Sequence, residues 1–185
     1  LKIVQLFFKK IPLNRIYNMD ETPNRIIPNL GNQVSEKREK RYLELSNAND
    51  KLCYTMVCTT NATGEKLELV LVAKGKTPRS LNKFNLDEAT KRRSYVNKTG
   101  YVTVKIVKSI IDDVYHKSNG LFSVLVIDKC TVHTTNSIVH YANSKNICIF
   151  YVPAKQTSKI QPLDVKVFGA FKRCFRPYYE QLCNF

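Results

Sequence analysis

The sequence predicts an α/β domain with a mixed sheet, an antiparallel hairpin joined to parallel strands, flanked by helices. Three observations predict it. Residues 121–128 (LFSVLVID) and 147–152 (ICIFYV) are continuous apolar runs, the pattern of strands buried on both faces. Val104, Val107, Ile110, Ile111 and Val114 recur at helical spacing just before the first of them. Residues 51–60 and 66–73 are strand-like runs separated by the turn Asn61-Ala-Thr-Gly64, which makes a hairpin. The order β, β-hairpin, α, β, α, β, α then sets the later strands parallel, because helical crossovers return the chain in the same direction.

Each element has a local reason. Residues 14–20 (NRIYNMD) alternate around Ile16, Tyr17 and Met19, so a short strand ends at Asp20 and Thr22-Pro23 breaks it. Residues 26–50 are polar, with a charged cluster at 36–41, and read as a flexible insertion. Residues 74–97 read as irregular and basic. Thr103 is placed to cap the helix that runs to about His116, and Gly120 closes that unit. A short helix is expected over 135–144 and a loop over 153–162. From about Leu163 to Leu182 the residues Val167, Phe168, Ala170, Phe171, Phe175 and Tyr178 suggest a last helix that Pro177 can kink. No internal repeat is present.

The 185 residues suit one domain, and 43% hydrophobic content with 19 Phe and Tyr excludes a disordered chain. No apolar run reaches the roughly 18–20 residues of a membrane span. Residues 1–10 are too charged for a signal peptide; they look like the tail of a preceding helix, and the missing initiator Met gives the chain the look of an excised segment. The six cysteines show no CxxC pair and no zinc spacing, so they read as reduced, intracellular thiols that act as small hydrophobes. Asn61 and Asn97 open N-x-T triplets, which such a compartment leaves unmodified.

Charge points to partners. Thirty Lys and Arg against fifteen Asp and Glu give a formal +15, a balance that favours a polyphosphate over an acidic membrane surface. After Asp128 only Asp164 and Glu180 are acidic, against eight Lys and Arg. Asp20 and Asp128 each end an apolar strand, at the rim where α/β proteins place ligands. Asp164 opens a helix, whose dipole favours a carboxylate there. Any one of them is ordinary. Together, two strand ends and a helix start can converge into an oxygen-ligand set for Mg²⁺ or Mn²⁺ beside a basic groove.

Residues 16–22 (IYNMDET), Asp128 with His133 five residues on, and Gln161-Pro-Leu-Asp164 followed by Phe168 and Phe171-Lys-Arg173 resemble the DDE-superfamily endonuclease domain of pogo, Tigger, jerky-type and centromere protein B-like transposases. Asn61-Ala-Thr-Gly64, Gly75-Lys76 with Pro78-Arg79, Gly100-Tyr-Val-Thr103, and Pro153 with Thr157-Ser158 are further landmarks, so the similarity extends over about residues 11–182.

The resemblance implies an RNase H-like fold in one catalytic domain over residues 1–185, with the family's N-terminal DNA-binding domains outside this segment. By motif, Asp20, Asp128 and Asp164 would be the catalytic triad and the ligands of two Mg²⁺ or Mn²⁺ ions. DNA would be the partner, the nucleus the location, self-association an option, and a membrane no part of it. Lys155, Lys159, Lys172, Arg173 and Arg176 are candidates for phosphate contact. His133 reads either as a partner of a carboxylate or phosphate near the metals, or as a cap on the following helix. Glu21 faces away along its strand and is not counted as a ligand. Two positions depart from the family pattern. Lys129 stands where Asn or Gly is common: pointing away it is harmless, bent inward it pairs with Asp128 or competes with a cation. Lys166 stands where Gly is common. The alternative function is therefore an inactive transposon derivative retained for DNA or chromatin binding.

Overall fold

A computed structural model describes residues 2–26, 52–84, 86–153, 156 and 160–174. One six-stranded sheet organises them, in the order β4-β3-β2-β1-β5-β6. The strands are β1 (Ile16–Ile26), β2 (Leu52–Asn61), β3 (Val70–Lys74), β4 (Ser94–Asn97), β5 (Ser123–Ile127) and β6 (Ile147–Tyr151). β1, β2 and β3 pair antiparallel; β5 and β6 run parallel to β1, and β4 parallel to β3. The expected mixed sheet, hairpin first and parallel strands after, is what forms.

The helices are α1 (Lys2–Lys9), α2 (Glu88–Arg92), α3 (Val104–Lys117) and α4 (Asn136–Ser144). A fifth, α5, opens with a π turn over Leu163–Val167 and continues as α-helix through 168–174. α3 buries Ile106, Val107, Ile110, Ile111 and Val114, the stripe whose period predicts it. With Tyr17, Met19, Val57, Val72, Leu125 and Ile127 from the sheet, and Ile138 and Ala142 from α4, they form the main core. Each buried Val, Leu, Ile or Met among them contributes roughly 1.5–3 kcal/mol relative to exposure. α1 lies against the far edge, with Phe8 edge-on to Phe150 of β6 at 5.1 Å between ring centres.

Four expectations are corrected. β1 does not stop at Asp20: Thr22-Pro23 stays in the strand, with Pro23 opposite Thr55. β5 pairs β1 over Ile16 to Asn18, so further along β1 has an open side where the N–H that proline lacks costs no ladder bond. Residues 74–97 are not irregular: they hold a 3₁₀ helix (Pro78–Phe84), α2 capped by the Asp87 carboxylate on the Thr90 N–H, and β4. The second hairpin arm begins at Val70, residues 67–69 being held by the Leu67 N–H to Thr59 O bond and a bridge at Lys66. β5 is shorter than its apolar run, because Leu121 and Phe122 are exposed. The turn is as expected: Asn61 Oδ1 accepts from Thr63 N, Thr63 Oγ1 and Glu65 N, and Gly64 takes φ +91°. The insertion over 27–50, most of the loop over 153–162 and the last helix past 174, Pro177 included, lie outside the described residues. Cys58, Cys130, Cys148 and Cys174 are free thiols.

Candidate metal centre

The parallel pairing of β1 and β5 sets Asn18 opposite Val126. Two residues further along each chain stand Asp20, within β1, and Asp128, just past the end of β5. Strand alternation puts Tyr17, Met19 and Glu21 on the α3/α4 face, and Asn18 and Asp20 on the α5 face. The Leu163 N–H bonds to Asn18 Oδ1 at 3.2 Å, which brings the next residue, Asp164, to the same end of the sheet.

Asp20 is largely buried and poorly served. Its Oδ1 accepts the Glu21 N–H at 2.8 Å; its Oδ2 is buried without a hydrogen-bond partner among the described residues. Burial pushes its carboxyl up to about 7 from 3.8, and the negative charges of Asp164, Asp128 and Glu21 push the same way against the single backbone bond. Asp164 and Asp128 thus each lie within electrostatic reach of Asp20.

Asp128 has the opposite environment. His133 Nδ1 lies 2.6 Å from its Oδ1, and His133 Nε2 lies 3.1 Å from Glu21 Oε1. Two carboxylates can both accept only if both ring nitrogens carry protons. Burial pulls the imidazole down, but its bonds to Asp128 and Glu21 outweigh that and raise it to about 9. His133 is thus a buried imidazolium, only 2% exposed. Its hydrogen bond holds Asp128 below the usual carboxylate range despite partial burial. The Tyr151 hydroxyl donates to His133 O at 2.9 Å, pinning this loop to β6.

These contacts decide between the two readings of His133. It bonds a carboxylate, and α4 takes Thr135 as its N-cap residue. Glu21 does face away from Asp20, as strand alternation requires, yet it belongs to the site as the second acceptor of His133. Alternation shows its direction but not the histidine, 112 residues away, that waits there; the pair Asp128 and His133 at five-residue spacing is the signal that existed. Lys129 is exposed and makes no ion pair with Asp128 among the described residues; Lys166 is exposed too. Lys172 and Arg173 are exposed on α5. Lys155, Lys159 and Arg176 lie outside the described residues.

The donors suit a hard cation. Asp20 Oδ2 is unpartnered, both bonds to the Asp128 side chain use Oδ1, and Asp164 is exposed. Oxygen ligands of this kind fit Mg²⁺ or Mn²⁺. Asp128, Cys130 and His133 also offer ligand atoms within 4.8 Å of one another. A softer metal there would have to break the imidazolium bonds and ionise a thiol that burial pushes up. A cavity of about 690 Å³ lies between β2 and α5, lined by Met56, Cys58, Leu163, Val167 and Phe171 among others and by none of the three aspartates. Cys58 is the β2 partner of Asp20.

Comparison with known proteins bears on this geometry. The family profile described as DDE superfamily endonuclease matches residues 50–184. Among solved structures, the catalytic domain of Mos1 mariner transposase superposes with a TM-score of 0.58 at 10% identity, covering 95% of this chain and 67% of that one. The Mos1 transposase paired-end complex with left transposon end gives 0.56 at 11% identity, over 94% of this chain and 46% of that one. A third, the Mos1 catalytic domain with Raltegravir and Mn, gives 0.57 at 10% identity, over 95% and 67%. This chain therefore spans less than half of the chain in the paired-end complex. At such identity the likeness shows the fold, which is the RNase H-like fold of transposase catalytic domains. Among the described residues no helix is long and apolar enough to cross a membrane.

Proposed function

Because the chain belongs to the DDE superfamily of endonucleases, we propose that it is the metal-dependent catalytic core of a transposon-derived protein, cutting and rejoining DNA with Asp20, Asp128 and Asp164 as ligands of two Mg²⁺ or Mn²⁺ ions. The observation that carries this is the unpartnered, buried Oδ2 of Asp20 beside two further carboxylates. A buried anion without a counter-charge is costly, and a divalent cation is the group that relieves it. When bound, such ions supply a hydroxide at neutral pH and stabilise charge on the leaving oxygen of a phosphodiester.

The rest falls to the chain. Asp20 and Asp128 approach from adjacent parallel strands and Asp164 from α5, so the ligand set is fixed by rigid elements. His133 holds Asp128 ionised and oriented, and its positive charge offsets the negative charge of Glu21. Lys172 and Arg173 on α5 supply sequence-blind contacts to the phosphate backbone, with Lys155, Lys159 and Arg176 proposed for the same role. DNA is the partner under this reading and the nucleus the location, while base readout belongs to other parts of a longer protein. The inactive alternative draws on Lys129; that side chain is exposed and unpaired with Asp128, which favours the enzyme.

Nicking of supercoiled plasmid in Mn²⁺ tests the proposal. The wild-type chain is expected to nick and Asp128→Ala not to. Mn²⁺ is also expected to raise the melting temperature, as a ligand of the folded state does, and Asp164→Ala to remove that rise. A wild-type chain whose melting ignores Mn²⁺ and which leaves plasmid intact would overturn it.

A further inference from the structure

The segments that carry the aspartates also carry two buried amides that the chemistry leaves unused. Asn18 precedes Asp20 by two residues and is 6% exposed. Its Nδ2 donates to Val126 O at 3.1 Å, two residues before Asp128. Its Oδ1 accepts the Leu163 N–H at 3.2 Å, one residue before Asp164. One side chain therefore touches all three segments that bear a candidate ligand. Gln161, fully buried, repeats the tie in the other direction: its Nε2 donates to Met19 O at 3.3 Å, the residue between Asn18 and Asp20.

Other buried asparagines of the described chain do not do this. Asn24 bonds Thr22 O two residues back, and Asn61 serves its own turn and the neighbouring Asn14 O. Asn18 spans 108 and 145 residues of sequence. Burying an amide is unfavourable unless its bonds are made, so the three segments are held to the positions that satisfy it. The Leu163 N–H is moreover one of the donors that a helix start leaves without an intrahelical acceptor. Asn18 supplies that acceptor from another element, and the helix begins there in a wide π turn that carries Asp164. Three carboxylates repel one another, so convergence needs such an external restraint.

We propose that Asn18 is a positioning residue: through Val126 and Leu163 it holds Asp128 and Asp164 at the spacing Asp20 requires, with Gln161 as the second strap. The inference rests on the reading that these aspartates bind divalent cations, and its test separates the two. Asn18→Leu keeps the volume and removes both bonds; Asn18→Ser serves if the leucine variant does not fold. Hydrogen exchange is measured over residues 161–168 and over α3, and Mn²⁺ affinity by titration of the whole chain.

Exchange over 161–168 is expected to quicken about tenfold while α3 is unchanged, since one anchoring bond is lost and the core is not. Mn²⁺ affinity is expected to fall about tenfold or more, as it does when groups supporting metal ligands are removed. Asn18→Leu should cost less Mn²⁺ affinity in an Asp164→Asn background than in the wild-type chain, because one of the two ligands through which Asn18 acts is then already gone. Unchanged exchange over 161–168, or quickened exchange with wild-type Mn²⁺ affinity, overturns the positioning role. A wild-type chain that binds no Mn²⁺ instead overturns the metal reading, whatever the exchange shows.

Discussion

Asp20 and Asp128 stand at matching places on adjacent parallel strands and live under opposite electrostatics. Asp20, on the α5 face, is more deeply buried, has one backbone bond and one bare oxygen, and is pushed up to about 7. Asp128 shares an imidazolium with Glu21 and sits below the usual carboxylate range. The difference lies in what the protein supplies. On the Asp128 side the fold brings its own cation, His133. On the Asp20 side it leaves the charge to be neutralised from outside. Under the proposed function, that deficit is what a divalent ion would fill.

Removing each carboxylate in turn puts the largest strain on this contrast. Both Asp20→Asn and Asp128→Asn are expected to abolish nicking and the Mn²⁺-induced rise in melting temperature. Without metal their signs should differ. Asp20→Asn relieves a buried charge and should raise the melting temperature, by roughly 2–4 °C for each kcal/mol gained. Asp128→Asn removes a charged acceptor from His133 and should lower it. Melting curves in EDTA decide this, and two shifts of the same sign would collapse the distinction.

His133→Ala comes next. It leaves Asp128 and Glu21 facing each other without their shared cation. Breaking a buried ion pair costs about 3–5 kcal/mol; with the Asp128 side chain 37% exposed and that of Glu21 24%, a loss of about 2 kcal/mol by urea unfolding is expected. His133→Gln, which retains a donor, should lose less.

The pH dependence of metal-free stability follows with the same division. Asp20 titrates near 7 when folded and near 3.8 otherwise, so its stabilising proton is fully present below pH 4 and lost as pH rises through 7. His133 is raised from 6.5 to about 9, so its contribution is full below pH 6.5 and lost as pH rises through 9. In EDTA the melting temperature should fall through both windows. Saturating Mn²⁺ should erase the first fall, because Asp20 is then needed ionised, and leave the second.

Much of this was legible in the sequence, for physical reasons. The α3 stripe and the continuous runs of β5 and β6 are burial patterns, and burial forms one face at a time along a single element. Asp128 and Asp164 could be placed from the sequence as a strand end and a helix start, whereas Asp20 lies within β1 and its place beside Asp128 comes from the β1/β5 register. Glu21 was not legible. Its direction follows from alternation, but its meeting with His133 depends on how the loop after β5 folds back under Tyr151, a tertiary contact without a period. The two amides escaped for a similar reason: an asparagine beside an aspartate looks polar, and only the crossing of three segments makes it a tie. Pro23 misled because a strand breaker is harmless where the neighbouring strand has already ended.

Glu21→Gln is the finest probe of the boundary between the two regions. The amide oxygen still accepts from His133 Nε2, so the 3.1 Å contact survives and only the charge is lost. The imidazolium then has one ionised partner against the pull of burial, and its pKa should drop below about 9, which NMR titration of the ring reads directly. The stability loss should be about 0.5–1 kcal/mol, that of one weakened bond to a charged group. Mn²⁺ binding should hold, since Glu21 points to the α4 side and Asp20 to the α5 side. If Glu21→Gln instead removed Mn²⁺ binding as fully as Asp20→Asn, Glu21 would belong with the ligands. His133 would then no longer be the private cation of the Asp128 side, and the two faces of β1 would form one continuous site.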